Sequence, residues 1–151
     1  MAYAISDVRT ISAQTTADLS GSQFRFVTLK TDMTVDVCGA TGMALGILEN
    51  QPSAPILSTY GSTGVSGYVA GQYACTVSVD GVTRVEVNTA LPVGTIVGPS
   101  IANDGVAAGI GATGSYGYYY FSRAILLQPS TAAGDVVACK LLGPAMGSPA
   151  A

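Results

Sequence analysis

The sequence predicts an all-β fold, and three observations carry that reading. Apolar residues alternate at period two in several short stretches, turn residues break the chain at close intervals, and the helix formers Lys and Glu occur only twice each. Period-two alternation marks half-buried strands, and the Gly, Asp and Pro between them let the chain reverse. Many short strands in 151 residues mean one domain, a small β-barrel or sandwich.

Residues 1–22 are polar, with Ile5, Val8, Ile11 and Leu19 scattered singly, and read as an extended N-terminal arm. Such a segment orders by laying apolar side chains into a partner's pockets or adding a strand to its sheet. Alternation begins at Phe24, with Phe24 and Phe26 opposed to Arg25, Val27 and Leu29. Lys30-Thr31-Asp32 is a turn. Val35 and Val37 then alternate with Asp36 and Cys38. After a turn between Gly39 and Gly42, the stretch from Ala44 to Glu49 is a short apolar strand that Asn50-Gln51-Pro52 ends. Residues 53–72, with Tyr60 and Tyr68, are a loop by composition.

From Tyr73 a strong strand sets Cys75, Val77 and Val79 against Thr76 and Ser78. A tight hairpin at Asp80-Gly81 would then turn Arg84 to the apolar side and Val85 and Val87 outward. A bulge or longer bend is therefore expected here. Leu91-Pro92-Val93-Gly94 is a turn, Thr95-Ile96-Val97 a short strand and Asn103-Asp104-Gly105 a second turn. After the Gly-rich run 109–117, the stretch from Tyr118 to Leu127 is apolar on both faces, as in a strand covered on both sides. The last strand runs from Asp135 to Leu142. The chain thus divides into an arm (1–22), a β domain (23–142) and a tail (143–151).

Composition excludes several functions. With no His there is no Ser-His-Asp or Cys-His catalysis and no imidazole metal ligand. A net charge of −3 with six cations argues against nucleic acid. Gly109-Ile110-Gly111-Ala112-Thr113-Gly114 matches a dinucleotide fingerprint, but no helix-forming sequence follows it. Cys38, Cys75 and Cys139 lack the close spacing of a zinc site or disulfide framework and read as buried thiols of a protein made in a reducing cytosol. The first ten residues lack the basic and apolar regions of a secretory signal, and no apolar run approaches membrane-spanning length. No enzyme activity, cofactor, metal or membrane association is expected.

Charged residues make up 10% of the chain, against about 25% in an average domain. Much of the surface is therefore expected to be covered by other protein. Tyr is enriched at interfaces because it gives large contact area with few rotamers. The candidate interface residues are Ile5, Val8, Ile11, Leu19, Tyr60, Tyr68, Tyr116, Tyr118, Tyr119, Tyr120 and Phe121.

The order of segments resembles the small head decoration (capsid cement) proteins of tailed bacteriophages. Leu19-Ser20-Gly21-Ser22-Gln23-Phe24-Arg25-Phe26-Val27-Thr28-Leu29 is similar to their opening strand. Ala44-Leu45-Gly46-Ile47-Leu48-Glu49-Asn50-Gln51-Pro52 looks like their "A-x-G-V-L-x-N-x-P" strand. Thr76-Val77-Ser78-Val79-Asp80-Gly81-Val82, the turns at Leu91 to Gly94 and Asn103 to Val106, and Arg123-Ala124-Ile125-Leu126 followed by Ala133-Gly134-Asp135-Val136-Val137 continue the likeness over residues 19–142. The resemblance implies a small β-barrel or β-tulip domain. It implies binding to the outer surface of the capsid, with the major capsid protein as partner and a homo-oligomer, trimers favoured. The other reading is a virion- or cell-surface module that recognises a host or glycan.

Overall fold

The computed structural model describes residues 9–39, 43–50, 55–58, 67–100, 102, 104–109 and 124–142, with backbone alone for 55–58 and 67–72. The fold is all-β. Its strands are β1 (Arg9–Thr15), β2 (Phe26–Leu29), β3 (Val35–Val37), β4 (Ala44–Leu48), β5 (Pro55–Ser58), β6 (Gly67–Asp80), β7 (Val82–Glu86), β8 (Ile96–Pro99), β9 (Ala107–Gly109), β10 (Ala124–Leu126) and β11 (Val136–Leu141). The first sheet has the order β1-β6-β4-β2-β3, with β5 also on β6; the second has the order β7-β11-β10-β8-β9. Every pairing between strands is antiparallel. One parallel bridge, Val87 to Ala107, draws the two edges of the second sheet together. Among the described residues the architecture is two antiparallel sheets rather than one closed barrel.

The main core lies between the sheets. Phe26, Cys38, Ala44 and Ile47 of the first meet Val85, Val87, Val97, Ala124, Leu126, Val137, Cys139 and Leu141 from the second. A second cluster of Leu19, Val27, Val35, Leu48, Cys75 and Val77 fills the other face of the first sheet. Strands β2 and β4 are thus buried on both faces, which is why Ala44-Leu45-Gly46-Ile47-Leu48 shows no clean alternation. The β2–β4 register slips between Val27 and Thr28, leaving Leu45 as the extra residue. That bulge restores phase, so Ala44 and Ile47 both face the main core while Leu45 and Leu48 face the second cluster.

The expected disruption at Asp80-Gly81 is a change of sheet. Strands β6 and β7 do not pair; one belongs to each sheet. Gly81 makes the corner at φ 92°, and the Asp80 carboxylate accepts its amide at 2.8 Å. The corner frees β7 from hairpin register, so Val85 and Val87 are fully buried and Arg84 is exposed.

Residues 9–22 depart from the arm expected for 1–22. Strand β1 pairs along β6, from Arg9 with Asp80 to Thr15 with Tyr73. The chain then turns, the Ala17 amide donating to Thr15 Oγ1 at 3.0 Å, and Leu19 is buried at 2% exposure. This segment belongs to the domain. Its β character is hidden because β1 is an edge strand that buries little. The expected loop 53–72 is also partly strand: it contains β5 and the first six residues of β6.

Candidate interaction surface

The sequence motifs at the sheet junction are built for structure. Arg25 spans from the first sheet to the second, donating to Glu86 from Nε at 2.8 Å and Nη2 at 3.1 Å. This fork-on-carboxylate geometry is the strongest form of the ion pair, and the Glu86 hydrogen bond raises the Arg25 pKa against the cost of burial. Around it, the Phe26 amide donates to Gly105 O at 2.7 Å and the Glu86 amide to Phe24 O at 2.9 Å. Gly105 sits at φ 72°, and a Cβ there would strike the Phe26 carbonyl oxygen, so the Asp104-Gly105 turn admits only glycine.

A second polar seam joins β6 to β7. The Glu49 carboxylate accepts the Ser78 hydroxyl at 2.6 Å and also the Thr83 hydroxyl. Ser78 is fully buried and Glu49 half-buried, and the carboxylate ties the hydroxyls of the two strands together. Burial pushes the Cys75 thiol up to about 11. Burial, reinforced by the Glu49 charge, pushes Cys139 up to about 12. Both are thiols, not thiolates, near neutral pH. The turn carboxylates Asp18, Asp32 and Asp135 lie below their ordinary value because neighbouring hydroxyls and amides donate to them. Among the described residues no group of His, Cys, Asp and Glu has the arrangement of a metal site, and no helix is long and apolar enough to cross a membrane.

The candidate interface residues fall in four sets. Ile5, Val8, Tyr60, Tyr116, Tyr118, Tyr119, Tyr120 and Phe121 lie outside the described residues, and Tyr68 is placed by its backbone in β6. Ile11 is 39% exposed on β1 and available for contact. Leu19 is not: it is part of the second core cluster.

The structure adds residues that the sequence did not single out. Leu29, Met33 and Met43 are 52%, 77% and 68% exposed. They gather at one end of the first sheet. Thr28 pairs with Ala44, and its hydroxyl donates to Met43 O at 2.8 Å. Register therefore sets Leu29 beside Met43, and Met33 lies in the turn that follows Leu29. That turn is closed by Lys30 N to Thr34 O at 2.8 Å and Met33 N to Lys30 O at 3.0 Å. Met33 sits there at φ 65°, a conformation costing an L side chain about 1–2 kcal/mol. The left-handed conformation is the one that the last residue of such a three-residue hairpin loop takes, and it leaves a long apolar side chain in the open. A Met in a turn beside Asp32 is the only trace of this in the sequence.

Neither a scan against protein-family models nor a search of curated proteins finds a match to the chain.

Proposed function

We propose that the protein is a structural component of a phage head: a decoration protein that binds the outer surface of the capsid and stabilises the major capsid protein lattice. The observation that carries this reading is the apolar tip of Leu29, Met33 and Met43 on a domain with so few charges. The described core is closed between the sheets, yet the periphery presents exposed hydrophobic side chains suited to a partner surface. The tip lies within the part of the chain that resembles capsid cement proteins. Cementing needs no catalysis. It needs added buried area across neighbouring capsid subunits, with self-association multiplying modest contacts through effective concentration. The protein is on this reading a homo-oligomer, a trimer favoured, made in the host cytoplasm and carried on the virion exterior.

Met33→Asn tests the reading. Asn tolerates the left-handed conformation, so the isolated protein is expected to gain up to about 1 kcal/mol in stability. The same change removes the exposed apolar side chain, so attachment to undecorated capsids is expected to weaken at least tenfold in a co-sedimentation titration. Unchanged attachment would remove the tip from the capsid interface.

A further inference from the structure

The two sheets differ in their outer faces. The second cluster closes that of the first sheet. In the second sheet Val85, Val97, Leu126 and Val137 point into the main core, so their neighbours along each strand point outward. The outward face of an antiparallel sheet is ordinarily polar. Here the outward residues of β8, β10 and the start of β11 are apolar. Ile96 and Val136 are 44% and 43% exposed, and Ile125 and Ala138 are half-buried. Ile125 pairs directly with Ile96. The ladder runs on past β10, the Leu127 amide donating to Ala138 O at 2.8 Å.

Positive charge flanks this apolar block. Lys140 pairs with Ile125 and Val82, and Arg84 pairs with Ala138. The two exposed cations are therefore diagonal neighbours on the outward face. Neither has an ion-pair partner among the described residues, where the ion pairs belong to Arg25 and Lys30. Glu86, opposite Val136, is committed to Arg25. Asp135, next to Val136, turns its carboxylate to the amides of Thr131 and Ala132. On a chain of net charge −3, this face is locally positive.

We propose that the outer face of the second sheet is a docking surface for a segment of the capsid protein that sets carboxylates beside apolar side chains. This rests on the capsid part of the function proposed above. Charge complementarity selects the occupant. A carboxylate between Arg84 and Lys140 pairs with both cations, while its apolar neighbours cover Ile96, Ile125 and Val136. Two cations amid apolar side chains are too few to hold a nucleic-acid backbone. The face is separate from the tip of Leu29, Met33 and Met43, which belongs to the first sheet, so the two surfaces can be tested one at a time.

The test is co-sedimentation of the full chain with undecorated heads from about 50 to about 500 mM salt. Wild-type attachment is expected to weaken with salt. At low salt the double variant Arg84→Glu, Lys140→Glu is expected to attach at least tenfold more weakly, with little salt dependence left. Ile96→Glu is expected to weaken attachment to a similar degree. The isolated variants are expected to melt within about 3 °C of wild type, as exposed substitutions do. Arg84→Gln with Lys140→Gln removes the charges without reversing them and decides the matter if the reversal fails to fold. Full attachment of the charge variants overturns this face while the capsid reading stands. Variants that melt much earlier yet attach as wild type assign the face to the domain's own packing and overturn the proposal. A charge variant that lowers the sedimenting mass of the isolated protein makes a second copy the occupant and overturns the proposal. A wild type that does not attach to heads overturns the capsid reading and this occupant with it.

Discussion

Replacing Phe26 with Ala is expected to leave the chain near the edge of unfolding. Phe26 is fully buried in the main core. It pairs with Ile47 on β4, its amide donates to Gly105 O, and its carbonyl accepts the Cys38 amide at 2.8 Å. Truncating a buried Phe costs about 3–5 kcal/mol, against a total stability of about 5–15 kcal/mol for a typical domain. The cavity would open where the two sheets meet, so both are expected to melt together. In a thermal melt the midpoint should fall by on the order of 10 °C. A drop of only a degree or two would mean that the sheets do not share this core.

Deleting residues 1–18 is expected to destabilise the isolated domain. The deletion removes β1 from β6 and takes Ala13 and Ala17 off the second cluster. Val27, Leu48 and Val77 lie in that cluster with no exposed surface. Exposing two of them would cost about 3–6 kcal/mol. Differential scanning calorimetry of the truncated protein should show a lowered midpoint before any capsid is present. If the midpoint is unchanged and only capsid attachment weakens, residues 1–18 act as an arm on a neighbour, and the pairing of β1 with β6 does not hold the domain together.

These two results bear on what could be read from the sequence. Strands β3 and β11 were legible because burial on one face leaves alternation, as in Val35-Asp36-Val37. Strand β1 was not, because four of its first residues face solvent and nothing selects an apolar period there. Strand β9, Ala107–Gly109, is three small residues whose pairing with β8 is set by the Asp104-Gly105 turn rather than by side chains. The conflict at Arg84 was legible as a conflict; its solution, a change of sheet, depends on contacts between strands distant in sequence. The candidate site divided the same way. Tyr density drew attention to interfaces, but Leu19 looks like any isolated apolar residue until a core closes around it. Met33 becomes informative only through its backbone conformation and exposure.

The central claim is that this chain covers a capsid lattice, and copy number on the particle tests it most directly. Quantitative mass spectrometry of purified phage heads carrying the chain should find it in a fixed, near-stoichiometric ratio to the major capsid protein. Heads stripped of it should lose resistance to heat. A few copies per particle, or heads equally heat-resistant without it, would contradict the account and favour a recognition module that binds a host or glycan.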